Sequence, residues 1–321
     1  MSIKTAVCDL FGIEKPIFLA GMGGVAYSEI CAAVSEAGGY GTLGMAAAGP
    51  EEIRAEMRAV RARTDKPFGV DLLAAQPETI DAAIDIIIAE GASSFIAGLG
   101  VPLAVIEKCH NAGLKVVVMC GKVEHAIKAE QAGCDMVVAQ GTEAGGHTGQ
   151  VAGMAVIPQI AAAVKIPVLG AGAIVDGRTM AAALAMGAQG VWVGTRFIAS
   201  TEARAPQLYK QSLLDHNGGD TAVTKCYSGK TMRVIRNAYV DDWAQRPQDL
   251  LPFPKQMVTS LKAGVMAITQ GADQHVDPDK SCLPAGQGIG GINDIRPVAD
   301  IMDMMMAEAE ATIKNLNGLV A

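Results

Sequence analysis

The chain has 321 residues, half of them hydrophobic but only 4% aromatic, so it is long enough for one large core of strands and helices that pack through aliphatic side chains. Its formal net charge is -7 and no Lys/Arg run occurs, which excludes DNA or RNA as the expected partner. No apolar run reaches the roughly 18 uncharged residues of a membrane span, so no membrane partner is expected either.

The opening MSIKTAVCDLFGIEKP lacks the sustained apolar stretch of a secretory signal, and the expected location is cytoplasmic. A first strand is expected in KPIFLAG, 15–21, entered through a proline. The amphipathic stretch SEICAAVSEA follows and ends in EAGGYGTLG, 36–44. This is the first of five junctions at which a glycine, able to close a helix in the left-handed conformation, precedes a short apolar run. PEEIRAEMRAVRA leads to KPFGVDL at 66–72, and PETIDAAIDIIIAE to EGASSFIAG at 90–98. NAGLKVVVM at 111–119 and QAGCDMVVAQ at 131–140 flank the helical KVEHAIKAEQA. IPVLGAG at 166–172, the helix GRTMAAALAM and MGAQGVWVG at 186–194 complete the series.

These make eight short strands, nearly continuous in apolar character, as strands buried on both faces are. Their alternation with helices implies parallel pairing with right-handed crossovers. Eight units predict an α/β fold closed as a (β/α)8 TIM barrel, with an open doubly wound sheet as the competing arrangement. After the eighth strand the rhythm breaks. Residues 200–285, including DHNGGDTAV and RPQDLLPFPKQ, are expected to form a small helical insertion covering the substrate. Residues 1–199 and 286–321 are assigned to the barrel. Its last exterior helix is expected in the amphipathic tail at 292–317, where Met304, Met305 and Met306 serve as core filler.

Barrels of this kind often hold a phosphate on the loops after the seventh and eighth strands. The seventh ends in Gly170, Ala171, Gly172 and Ala173, with Asp176 and Gly177 opening a helix. The eighth ends in Val193, Gly194 and Thr195, and Thr195 is placed to cap the next helix. Glycines at nearly dinucleotide spacing in AGQGIGGI, 285–292, follow no apolar strand, so they are expected to form a ligand-facing loop in which Gln287 donates to the ligand.

The sixth strand runs straight into GTEAGGHTG, 141–149. This places His147 on the face where barrel enzymes carry their catalytic groups, flanked only by Gly146 and Thr148. An imidazole there can exchange protons near neutral pH. His110, His125, His216 and His275 have weaker positions, and no HxH, HExxH or Cys/His cluster supports a metal. No GxSxG elbow occurs, and the seven cysteines, without a CxxC pair, read as buried reduced thiols.

The GTEAGGHTG loop, PIFLAGMGG at 16–24, the stretch at 167–197, YSGKTMRVIRN at 227–237, PFPKQ and AGQGIGGI together resemble the nitronate monooxygenase family and the related flavin-dependent enoyl-ACP reductases. The resemblance implies noncovalent FMN with Ala20, Gly21 and Met22 facing the flavin and Gln140 near the ring or ribityl chain. By the same resemblance Gly172, Ala173, Gly194 and Thr195 hold the phosphate, Gly146 of the site loop binds the cofactor, and Gln287 and Gly288 close over the ring. His147 falls on the family's catalytic histidine. The implied reaction is oxidation of an alkyl nitronate by dioxygen to a carbonyl compound and nitrite. The alternative is NAD(P)H-dependent reduction of an enoyl thioester, on acyl-CoA or ACP, or of a quinone. The expected partner is a small-molecule substrate, with a homodimer as the assembly.

Overall fold

The computed structural model describes residues 3–46, 48–73, 77–266 and 275–319. All eight expected strands form: β1 (Ile17–Leu19), β2 (Gly41–Gly44), β3 (Phe68–Leu73), β4 (Ser94–Gly98), β5 (Lys115–Cys120), β6 (Met136–Gln140), β8 (Val168–Ala171) and β9 (Gly190–Val193). A two-residue strand not foreseen in the sequence, β7 (Gly146–His147), stands between the sixth and seventh of them. The eight are parallel, in the order β1-β9-β8-β6-β5-β4-β3-β2. The Phe18–Tyr40 bridge returns β1 to β2, with Leu19 N–H donating to Tyr40 and Tyr40 N–H to Ile17, both at 2.9 Å. The sheet is therefore a barrel rather than an open doubly wound sheet.

Alternation along each strand divides the core in two. Phe18, Tyr40, Ile96, Val117, Met136, Val138, Leu169 and Trp192 meet inside the barrel. Leu19, Val70, Phe95, Val116, Val118, Val137 and Val191 face outward into the layer shared with the helices. The tail helix, Val298–Asn317, buries Met305 and Met306 in that outer layer as core filler, whereas Met304 is only partly buried, with its Sδ 3.9 Å from Arg296 Nη1. All seven cysteines are free and buried.

A short helix, Ala6–Phe11, is absent from the sequence expectations because six residues are too few to show a period. It closes the end of the barrel away from the strand C-termini, with Val7, Cys8 and Phe11 joined to the interior cluster. Phe11 meets Phe18 edge-on at 5.2 Å and Tyr40 at 4.8 Å.

The segment 200–285 is not purely helical. It carries the helices Gln207–Asp215, Ala238–Ala244 and Lys255–Lys262, but also the antiparallel strands β10 (Thr221–Thr224) and β11 (Met232–Ile235). β7 adds to the outer edge of β11, with Met232 opposite His147 and Arg233 opposite Gly146. A satellite core of Cys226, Tyr227, Met232, Val234, Val240 and Cys282 supports this small sheet. The sequence pattern hides the pair because β10 and β11 are four residues each, and β10 is only partly buried. Among the described residues, no helix is long and apolar enough to cross a membrane.

Phe11→Ala is expected to cost about 3–5 kcal/mol of unfolding free energy, because it empties a packed aromatic site at the base of the barrel. Urea unfolding should show a lower midpoint at unchanged slope. An unchanged midpoint would separate the plug from barrel stability.

Candidate active site

A cavity of about 360 Å³ opens at the C-terminal mouth of the barrel. All eight barrel strands reach it, through Ala20, Gly44, Asp71, Gly98, Met119, Gln140, Ala171 and Trp192. Met232, Tyr209 and Pro284 contribute from the later segment.

Of the residues singled out in the sequence, Ala20, Gly21, Met22, Gln140, Gly146, His147, Gly172, Ala173, Gly194, Thr195 and Gly288 all line this cavity. Gln287 does not. Its side chain is exposed, and its peptide N–H is spent on the Glu143 carbonyl at 2.8 Å. The turn Gln287–Gly291 presents glycine to the cavity, since a Cβ at Gly288 would lie 2.8 Å from Val175 and 3.0 Å from Ala173. Thr195 also differs from expectation. Gly194 is the helix N-cap, without a side-chain cap, and Thr195 Oγ1 instead accepts from Gly286 N–H at 3.1 Å. That bond ties the late glycine turn to the end of β9.

The two glycine loops have the character of an anion cradle. Among the described residues, the peptide N–H groups of Gly172, Ala173, Gly194 and Thr195 donate to no protein acceptor. Gly172 takes φ 112° and Ala173 φ 53°, successive positive-φ residues at the end of β8. The other non-glycine residue of positive φ among those described, Leu99, also lines the cavity. Backbone strain thus collects at this mouth. Asp176 caps the helix Gly177–Ala185 in a capping box with Thr179, fixing the loop's exit.

His147 is half-buried on the cavity wall. Its Nε2 lies 2.9 Å from Ser228 Oγ. Ser228 also receives the Lys230 N–H at 3.2 Å and reaches the Lys230 carbonyl at 3.2 Å. One hydroxyl proton satisfies all three contacts when it goes to that carbonyl and Oγ accepts from His147 Nε2–H. This assignment leaves Nδ1 as the lone-pair nitrogen. Burial, and second the positive charge of Lys230, push the imidazole down from 6.5 to about 4. At neutral pH it is an uncharged base. Lys230 itself sits 4.7 Å over the Phe253 ring.

Arg233 holds the histidine loop from behind, donating from Nε to the Thr142 carbonyl at 2.9 Å and from Nη1 to Thr221 Oγ1 at 2.9 Å. Ser228, Lys230 and Arg233 all lie in YSGKTMRVIRN. The family resemblance of that stretch does not by itself reveal these roles. No described group of His, Cys, Asp or Glu could hold a metal ion.

Comparison with known proteins follows the same lines as the geometry. The sequence profile of the nitronate monooxygenase family matches residues 4–90 and 80–308. The chain belongs to that family. Within this nitronate monooxygenase family and its neighbours, a putative monooxygenase of Mycobacterium tuberculosis is 32% identical, covering 99% of this chain and 100% of that protein. A (3aS,4S,5R,7aS)-5-hydroxy-7a-methyl-1-oxo-octahydro-1H-indene-4-carboxyl-CoA dehydrogenase of Rhodococcus jostii is 31% identical, covering 100% and 99%. Among solved structures, FabK from Thermotoga maritima superimposes with a TM-score of 0.90 at 34% identity, covering 99% of this chain and 100% of that one. These homologues are oxidoreductases, and so is this chain.

Lys230→Met should raise the His147 titration point above about 4, because a repelling ammonium is removed. The value should stay below 6.5, since burial persists. Imidazole chemical shifts followed against pH measure it, and an unchanged or lower value contradicts the assignment.

Proposed function

We propose that this nitronate monooxygenase family member is an FMN-dependent oxidoreductase that oxidises alkyl nitronates with dioxygen, giving a carbonyl compound and nitrite. The observation that carries this is the uncharged His147, pinned by Ser228 on the wall of a cavity that is also lined by glycine loops with unpaired peptide N–H groups. Support for FMN comes from the fit of the residues present. The N–H groups of Gly172, Ala173, Gly194 and Thr195 suit a phosphate. Ala20, Gly21 and Met22 line the cavity where a ring could lie. Gln140, whose side-chain amide has no hydrogen-bond partner among the described residues, offers that amide to the same space.

FMN bound there would supply the two-electron chemistry, with dioxygen as the final acceptor. The chain's own part is positional and protolytic. His147 Nδ1 takes the α-proton when the substrate arrives as a neutral nitroalkane, and the imidazolium then keeps its Nε2–H on Ser228. The apolar walls, including Met119, Trp192 and Met232, exclude water from the reacting carbon.

A second reading is supported by the full-length match to a relative named as a carboxyl-CoA dehydrogenase. In it the chain is an NAD(P)H-dependent reductase of an acyl-CoA or ACP enoyl thioester, or of a quinone, and His147 orients the carbonyl. Nitrite release from a nitronate in air identifies the first activity. Anaerobic bleaching of the flavin by NADH or NADPH, without nitrite release in air, identifies the second.

His147→Ala is expected to lower turnover by about 10²–10⁴-fold while FMN stays bound. Full turnover in that variant would remove His147 from the chemistry. Gly194→Leu should bind FMN at least about tenfold more weakly. A Cβ at Gly194 meets Ala20 and Met22 at ordinary contact distances of 3.4 and 3.5 Å, so the fold accommodates it, and the rest of the leucine crowds the amide cradle. Equal FMN affinity by equilibrium titration would place the phosphate elsewhere.

A further inference from the structure

Two acidic side chains line the cavity, the exposed Glu52 and the half-buried Asp71. Asp71 stands on β3, in register with Gly44 of β2 and Ile96 of β4. Its side chain points to the barrel mouth and lines the cavity. Its carboxyl lies against the first of the ring-facing segments: a Cβ at Gly21 would sit 2.3 Å from both Asp71 Cβ and Oδ2. The main chain is fixed there, because Met45 N–H donates to the Asp71 carbonyl at 3.0 Å. Among the described residues no group donates to or accepts from the carboxyl oxygens.

Asp71 is half-buried, with its carboxyl facing the cavity; once a ring fills that space, a carboxylate there would be a charge out of water without a partner, which is costly. The residues packed around it, Gly21, Gly44, Met45, Ile96 and Gly98, carry no titratable or charged group. The other titratable groups on the cavity wall are Tyr27, Glu52, His147 and Tyr209. None of them contributes to the Asp71 titration. Burial alone pushes it well above the ordinary carboxyl value of 3.8.

We propose that Asp71 is a neutral carboxylic acid that donates its O–H as a hydrogen bond to an acceptor atom of the cofactor ring seated against Gly21. The inference rests on the FMN reading above and adds a donor to it. An uncharged acid keeps negative charge away from a ring that must accept electrons, and it gives the Asp71 O–H a partner. The group is silent as a base, so His147 remains the proton acceptor. The same removal from water that keeps the histidine uncharged keeps the aspartic acid protonated.

The test is difference infrared spectroscopy of the apoprotein and the FMN-loaded protein at neutral pH, with Asp71→Asn and Asp71→Leu as controls. The expected result is a protonated-carboxyl C=O band in the wild type that is absent from Asp71→Asn and shifts to lower frequency when FMN is added. By equilibrium titration, Asp71→Asn, which retains an N–H donor, should bind FMN within about threefold of wild type, and Asp71→Leu about tenfold or more weakly. Wild-type affinity should hold through neutral pH and then fall by up to about tenfold per pH unit once Asp71 ionises, a limb that Asp71→Asn removes. No protonated-carboxyl band, a band indifferent to FMN, or equal affinity in Asp71→Leu would overturn this inference while leaving the FMN reading intact. A wild-type protein that does not bind FMN would overturn both.

Discussion

The pairing of β7 with β11 is the constraint on which the site depends. A loop of GTEAGGHTG composition has little side-chain bulk to hold itself in one shape. It is fixed because two of its residues become a strand against a hairpin that arrives much later in the chain. The Ser228 hydroxyl that meets His147 comes from 81 residues away. Arg233, opposite Gly146, spans from the Thr142 carbonyl to Thr221 and so locks the loop's approach as well as its tip. The segment after the eighth barrel strand therefore helps to shape the site. It supplies the partner that sets the tautomer of the base.

Desolvation is the common cause behind the site's electrostatics. Met119, Trp192, Met232 and glycine backbones line the cavity and offer little to solvate a charge. The charged form of each buried titratable group then becomes expensive, whatever its sign. His147 responds by staying unprotonated and Asp71 by staying protonated. Lys230 adds to the first effect and contributes nothing to the second. The cavity thus holds one base and one acid of opposite function, both uncharged, around the space where a redox ring fits.

How much of this the sequence discloses follows from what leaves a periodic trace. Every barrel strand is legible because a helix-closing glycine or a strand-opening proline marks its entry. Eleven of the twelve named site residues line the cavity for a related reason: they sit at strand ends and in glycine loops, which the topology sends to one mouth. The exceptions are matters of side-chain direction. Gln287 turns outward and Thr195 serves Gly286 rather than its own helix, and no spacing rule reveals either. Ala6–Phe11 and the β10–β11 pair are too short to show a pattern. Ser228 and Asp71 were invisible as site residues because each depends on an interaction, or the lack of one, between distant segments. The only local hint at Asp71 was an acid inside the otherwise apolar strand FGVDLL.

The most direct measurement is a crystal structure of the protein with FMN bound. The account predicts the phosphate on the peptide N–H groups of Gly172, Ala173, Gly194 and Thr195, the ring against Ala20–Met22, and His147 facing it with Nε2 still on Ser228. A phosphate held elsewhere, or an imidazole turned away from the ring, would contradict it.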